Sequence, residues 1–142
     1  MKRSIRTGLL TLSLAALSIA PALASDLTLH LEDIRTASGH LQIALVDSEA
    51  GWNNASPPVQ AKRIPATDGG IRLVFENLSP GQYAVMVMHD ENDNGKLDTN
   101  LVGIPVEGYG FSNNPRVMRK PTWDESRFDV GDDDLAIHIQ LR

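Results

Sequence analysis

Apolar and polar residues alternate with a period of two along much of the chain. Leu27, Leu29 and Leu31 face one way and Thr28, His30 and Glu32 the other, which predicts a half-buried strand. After a turn at Ser38-Gly39, Leu41, Ile43 and Leu45 alternate with Gln42 and Ala44 in a second strand that runs to Val46-Asp47. From Asp47 to Pro58 the pattern gives way to Gly51, Trp52, Asn53, Asn54, Ser56 and two prolines, which predicts a long loop. Val59 to Ile64 reads as a short edge strand on which Lys62 and Arg63 discourage further pairing.

Asp68-Gly69-Gly70 is a turn signal, and Ile71, Leu73 and Phe75 then alternate with Arg72 and Glu76. Asn77-Leu78-Ser79-Pro80-Gly81 closes that strand. The run Tyr83 to Met88 is apolar on both faces, as a central strand between layers would be. From Asp90 to Asp134 periodicity is weak and Gly, Pro, Asn and acidic residues recur, with Leu101 to Val106 and Phe128 to Val130 as the best candidates for short strands. Leu135, Ile137, Ile139 and Leu141 form a closing strand. Past residue 24 no apolar set recurs at helical spacing. The prediction is an all-β fold, a single antiparallel β-sandwich of about seven or eight strands with a long irregular region after its central strand. A loop region of that length in a small domain is functional or hides short elements.

The N-terminus belongs to a different pattern. Lys2, Arg3 and Arg6 precede an apolar run from Leu9 to Ala20, and Ala22-Leu23-Ala24 supplies a small-x-small cleavage site. The run is shorter than the ~20 residues of a spanning helix. Residues 1–24 are therefore expected to be a secretory signal cut after Ala24, and residues 25–142 the domain, periplasmic or secreted, with no membrane span. Periplasm is favoured, because no lipobox Cys and no anchoring tail is recognisable. Without the leader 118 residues remain, with ten Lys and Arg against eighteen Asp and Glu, a balance of −8. Such a charge argues against nucleic acid and anionic membranes as partners. The absence of Cys excludes disulfides, thiol catalysis and Cys-based metal centres, so a packed core must stabilise the domain.

Candidate chemistry concentrates after the central strand. Asp90, Asn92 and Asn94 fall at positions 1, 3 and 5 of the calcium-loop pattern D-x-[DN]-x-[DN]-G, Gly95 stands at position 6 and Asp98 at position 9. A hard cation takes six to eight oxygens, and a tight curl turns every second side chain inward, with Lys96 offering its carbonyl at position 7. Position 12 is Leu101 instead of the bidentate Glu, and the flanks are not helices, so an EF-hand is excluded. A Ca²⁺ loop in a β context is the expectation, with Glu107, Asp93 or water completing the shell. The alternative is a solvated turn, which uses the same residue types.

His89 ends the central strand on the face of Tyr83, Val85 and Val87, and reads first as a hydrogen-bonded structural residue. His30, His40 and His138 read as surface. Met86 and Met88, with Met118, are read as core filler in preference to Cu(I) ligands. Glu107-Gly108-Tyr109-Gly110-Phe111-Ser112-Asn113-Asn114 places aromatics between glycines ahead of paired amides, the look of either a ligand-binding loop or an Ω-loop packed by its own rings. Trp123 and Phe128 are candidates for the floor beneath it. Asp129 to Asp134 reads as a solvated turn. No nucleophile-elbow, zincin or phosphate-loop motif is present.

The segments Pro80 to Val85, His89 to Asn100, Gly103-Ile104-Pro105 and Glu107 to Asn114 resemble the bacterial exported family catalogued as domain of unknown function 2141. The resemblance covers essentially the whole exported part and implies an exported bacterial domain, with no activity or catalytic residue to carry over. Leu78 to Val85, a Pro-Gly turn before Tyr-x-Val, is similar to strand openings in prealbumin-like and Ig-like sandwiches, which implies a fold and not a function.

Three functions remain open on these residues. The first is a non-catalytic exported binding module in which a Ca²⁺ loop (Asp90, Asn92, Asn94, Lys96, Asp98) orders a neighbouring site for a protein or small-molecule ligand (His89, Glu107, Tyr109, Phe111, Ser112, Asn113, Asn114). The second is a small periplasmic enzyme with His89 as base beside Asp90 and Glu107. The third is a purely structural envelope protein.

Overall fold

A computed structural model describes residues 24–142, so the expected leader at 1–24 lies, apart from Ala24, outside the described residues. Eight strands and two single-turn helices follow in the order β1 (Ser25–Ile34), β2 (His40–Val46), α1 (Glu49–Trp52), β3 (Gln60–Pro65), β4 (Gly69–Leu78), β5 (Gly81–Asp90), β6 (Tyr109–Phe111), α2 (Trp123–Ser126), β7 (Phe128–Val130) and β8 (Leu135–Gln140). A three-stranded sheet has the order β4-β1-β8, and a five-stranded sheet the order β3-β2-β5-β6 with β7 added along the start of β5. The fold is the expected all-β sandwich.

The period-two residues make its core. Leu27, Leu29 and Leu31 of β1 meet Leu41, Ile43 and Leu45 of β2, Phe75 of β4, Tyr83, Val85 and Val87 of β5, and Ile139 of β8, all buried. Burying such side chains stabilises a domain by about 1.5–3 kcal/mol each, which is how a chain without disulfides holds together. One pairing departs from the antiparallel rule: β1 and β8, the first and last strands, run parallel, with His30 opposite His138. No short connection can join parallel neighbours, and here the whole domain separates them.

β5 is central, carrying β2 along one edge and β6 along the other. The turn before it is closed by the Tyr83 hydroxyl, which donates to the Ser79 carbonyl at 2.8 Å. Burial, with Asp47 nearby, pushes the Tyr83 phenol above its usual pKa.

The segment from Asp47 to Pro58, expected as plain loop, contains α1, capped by the Ser48 side chain accepting from the Gly51 N–H. Its Trp52 packs with Val46 and Ala84 into a second small cluster on the outer face of the large sheet, with Trp123 of α2 beside it. The Trp52 indole N–H donates to the Pro121 carbonyl at 2.9 Å, tying the two helical turns together. α2 is held by a capping box, Thr122 accepting from the Glu125 N–H while Glu125 accepts from the Thr122 N–H.

Two expectations for the irregular region are corrected. Leu101 to Val106 is not a strand: a lone bridge joins Thr99 to Pro105 around a tight turn, because Asn100 takes up the local N–H groups with its own side chain. Tyr109 to Phe111, expected in a loop, is strand β6.

Candidate functional site: an acidic loop beside an aromatic groove

The acidic loop leaves β5 at its last residue. Asp90 is buried, and its carboxylate accepts from the backbone N–H of Asn94 at 3.0 Å, the N–H of Gly95 at 2.9 Å and the Gln42 amide at 3.0 Å. Position 1 of the calcium pattern therefore nucleates the curl. Asn92 Oδ1 accepts from the Asn94 N–H, and Asn94 Oδ1 from the Lys96 N–H. Both amide NH₂ groups donate to the Asp98 carboxylate, at 2.7 Å from Asn92 and 3.0 Å from Asn94. Five of the pattern's residues thus share one small loop, with Asp98 at its focus.

Glu107 closes the loop from below. Buried to 6% exposure, it accepts from the Glu91 N–H at 2.9 Å and the Asp98 N–H at 2.8 Å. Asp93, the other candidate for a missing ligand, turns away, paired with Arg63 at 2.8 Å and His40 at 2.6 Å. Among the described residues no group of three or more His, Asp or Glu side chains converges as a metal cage. Two carboxylates and two side-chain amides thus meet in this loop, with both Asp90 oxygens and both amide oxygens accepting backbone N–H groups.

His89 is sealed inside the sandwich. Its Nε2 lies 2.8 Å from the Ser38 carbonyl, so that nitrogen carries a proton and donates, while Nδ1 lacks a hydrogen-bond partner and stands 3.8 Å from a Glu91 oxygen. Gly108 presses on the ring, since a Cβ there would stand 3.2 Å from the His89 Cβ. Fully buried, the residue holds the β1–β2 turn to the end of β5.

The segment expected to bind as one loop divides in two. Gly110 faces inward against β8, where an added Cβ would lie 2.7 Å from Ile139 Cγ2. The glycines let β6 lie close to the opposing sheet, and this turns Tyr109 and Phe111 outward. Ser112 is buried, its hydroxyl donating to the Ser126 carbonyl at 2.6 Å and accepting from the Val85 N–H at 2.9 Å. Asn113 donates to the Arg127 carbonyl, and Asn114 exchanges hydrogen bonds with the backbone of His138 and Gln140. Ser112, Asn113 and Asn114 therefore fasten β6 to its surroundings, and Asn114 also lines a concavity with Phe111 and Arg116.

Tyr109 and Phe111 instead line a groove of about 610 Å³ on the outer face of the large sheet, with Ala44, Met86, Met88 and Leu97. Gln42, Asn54 and Arg63 supply its polar rim. The groove lies beyond α1 and α2, whose cluster covers Ala84 and packs against Met86, and it continues along β5 over Met88. A second concavity of about 300 Å³ adjoins it, sharing Leu97, Tyr109 and Phe111 and bounded by Gly103, Pro105, Met118, Arg119 and Lys120. Burial lowers the Lys120 pKa, its ammonium lying over the Trp52 ring at 5.0 Å. Met86 and Met88, expected as filler, line the groove, and Met86 also packs against the Trp52 cluster. Their signal was position: they alternate with core residues Val85 and Val87 and so must face outward.

No helix among the described residues is long and apolar enough to cross a membrane. Over residues 29–138 the chain matches a bacterial protein family described as an uncharacterized protein conserved in bacteria (DUF2141). No curated protein and no solved structure matches it.

Proposed function

The chain belongs to that bacterial family, and from this premise we propose that it is an exported, non-catalytic binding module that takes an apolar ligand in the groove between Met86, Met88, Tyr109 and Phe111. The observation that carries the reading is Leu97. It belongs to the Asp90–Asp98 loop and lines both concavities together with Tyr109 and Phe111. Whatever fixes the loop therefore fixes a wall of the groove. Ca²⁺ is the cation proposed for the loop, held by Asp90, Asn92, Asn94, Asp98 and the Lys96 carbonyl, with the side-chain amides turning their oxygens toward it. The N-terminal pattern supports export to the periplasm or beyond.

Ligand sites are typically concavities of about 300–1,000 Å³ with mostly apolar walls and a few polar groups. The groove falls in that range. The test uses 1-N-phenylnaphthylamine as an apolar fluorescent probe. The purified protein should enhance its emission saturably, Met88→Glu should abolish the enhancement without loss of folding, and Ca²⁺ should strengthen probe binding. No enhancement from a folded, monomeric protein would sink the reading.

A further inference from the structure

Between the bulged end of β1, the end of β8 and the chain leaving β6 lies a concavity of about 400 Å³ that collects charges of both signs. Asp33, Arg116, Gln140 and Arg142 line it, over an apolar patch of Phe111 and Leu141. The backbone sets two of the charged residues in place. Asp33 is the extra residue of a β-bulge, since Glu32 pairs with Gly70 and Ile34 with Gly69, and its φ of 61° turns it out of the ladder. Arg142 exchanges backbone hydrogen bonds with Tyr109 at 3.0 and 3.1 Å. Its guanidinium lies over the Tyr109 ring at 5.4 Å and donates from Nη2 to the Pro115 carbonyl at 2.7 Å. An Arg fork carries five donors, so this anchoring leaves others for a ligand.

These charges have no ionic partner. Arg35, Arg63, Arg119 and Arg127 each pair with a carboxylate, whereas among the described residues neither Arg116 nor Arg142 does. Asp33 likewise enters no ion pair among the described residues, although two guanidinium groups line the same concavity. Past residue 24 the chain has eighteen Asp and Glu to ten Lys and Arg, so carboxylates are not scarce. The fold instead holds opposite charges apart across a space of ligand size. We propose that this concavity binds a small zwitterion, an amino acid or a short peptide, with its carboxylate on Arg116 and Arg142 and its ammonium on Asp33.

Ligands of one charge fit this wall worse. An anion alone would take the two arginines but meet Asp33, and the balance of −8 past residue 24 works against its approach. A cation alone would face two guanidinium groups. A neutral molecule would desolvate three charges and pair none of them, which costs free energy. A zwitterion carries no net charge for the domain to repel, and its carboxylate matches the fork geometry of arginine. The Gln140 amide offers a donor and an acceptor to a peptide unit, and Phe111 and Leu141 suit an aliphatic side chain. The site goes beyond the apolar groove, with which it shares Phe111 and no other wall residue.

The test follows backbone amide shifts by NMR in the purified protein, expressed from its full-length sequence, during titration to tens of millimolar with L-leucine and with L-leucyl-L-leucine. N-acetyl-L-leucine, which lacks the ammonium, and L-leucinamide, which lacks the carboxylate, are the blocked controls. At least one zwitterion should shift the Asp33, Asn114 and Gln140 amides saturably, and which of the two binds more tightly separates an amino-acid site from a peptide site. Both blocked compounds should bind about tenfold more weakly or worse. Arg116→Gln and Arg142→Gln should each weaken the zwitterion by a similar factor, and Asp33→Asn should bring L-leucine down to the level of its acetylated form. Arg72→Gln, which removes a positive charge from β4, should leave binding unchanged. If neither zwitterion shifts these amides, the inference is overturned. It is overturned too if N-acetyl-L-leucine or L-leucinamide binds as tightly as L-leucine, or if both arginine variants bind like the wild type. Binding of 1-N-phenylnaphthylamine in the groove should survive Arg116→Gln and Asp33→Asn, so the two sites stand or fall separately.

Discussion

Glu107 and Asp98 are joined across the base of the acidic loop, Glu107 Oε2 accepting the Asp98 N–H at 2.8 Å while Oε1 accepts the Glu91 N–H at 2.9 Å. One buried carboxylate therefore holds both ends of an eight-residue excursion, and through Asp98 it sets the position of Leu97 in the groove wall.

Glu107→Gln replaces one acceptor by an NH₂ that faces a backbone donor, and Glu107→Ala leaves two N–H groups without a partner. Hydrogen bonds to charged groups contribute about 1.5–3 kcal/mol each, and the two here are coupled, so we expect Glu107→Ala to cost about 2–4 kcal/mol. Hydrogen exchange should speed at the Glu91 and Asp98 amides in particular. Unchanged exchange at both amides would contradict the clamp.

How much of this was legible in the chain follows from where each partner lies. β1, β2, β4 and β8 were readable because a strand with one buried face writes its burial as alternation, and β5 because Tyr83 to Met88 is apolar on both faces. β6 was not, because its inward position is Gly110 and its aromatics face out, which inverts the expected pattern. Leu101 to Val106 misleads in the opposite direction, since apolar Leu101, Val102, Ile104 and Val106 look like a strand but are exposed. α2 had a legible signal in Thr122-x-x-Glu125, whereas its single turn has too few residues to show helical periodicity. At the candidate site, the Asp90–Asp98 loop was marked by residue type and spacing. The groove was not, because its walls come from β2, β5, β6 and the loop, and only the fold assembles them.

Stability near α2 should depend on pH through Glu125. The Arg119 guanidinium, with the Thr122 N–H, lowers its pKa from the ordinary 4.5 to about 2. A folded pKa below the unfolded one means that the folded state binds fewer protons in that interval. The contribution is fully present above pH 4.5 and is lost as pH falls toward about 2. The pair is exposed, so salt screens it and the effect is small. Between those limits the melting temperature of Arg119→Met should fall less steeply with acid than that of the wild type. Parallel slopes would remove the pair as a contributor.

Gly110→Ala tests the close approach of β6 to β8. The new Cβ would stand 2.7 Å from Ile139 Cγ2 and 3.1 Å from the Gln140 carbonyl oxygen, one of them backbone that cannot swing aside. Overpacking of this kind costs about 1–3 kcal/mol. Ile139→Ala removes the methyl it meets, so the double variant should be more stable than the sum of the two single losses predicts. Additive losses would show that the Gln140 backbone alone sets the limit.

The proposal that the Asp90–Asp98 loop holds a cation is best probed at Asp98. Asp90→Asn removes a charge from a carboxylate that already accepts from Asn94, Gly95 and Gln42, so it loosens the curl with or without metal. Asp98 accepts only side-chain amides among its carboxylate contacts, so Asp98→Asn keeps an acceptor for Asn92 or Asn94 while removing half the charge available to a cation. Loops of extracellular modules bind Ca²⁺ with Kd of about 10⁻⁴–10⁻³ M. At ~100 Kd a native-state ligand adds about 2.7 kcal/mol, a rise of roughly 10 °C in a domain of this size. The wild type should show such a rise in Ca²⁺ over EDTA, with little response to Mg²⁺, because the smaller ion demands a stricter octahedron and sheds its water reluctantly. Asp98→Asn should melt near the wild type in EDTA and lose most of the Ca²⁺ response. If both proteins melt alike in Ca²⁺ and in EDTA, the amide bonds to Asp98 are the whole purpose of the motif, and the wall at Leu97 is fixed by hydrogen bonding alone.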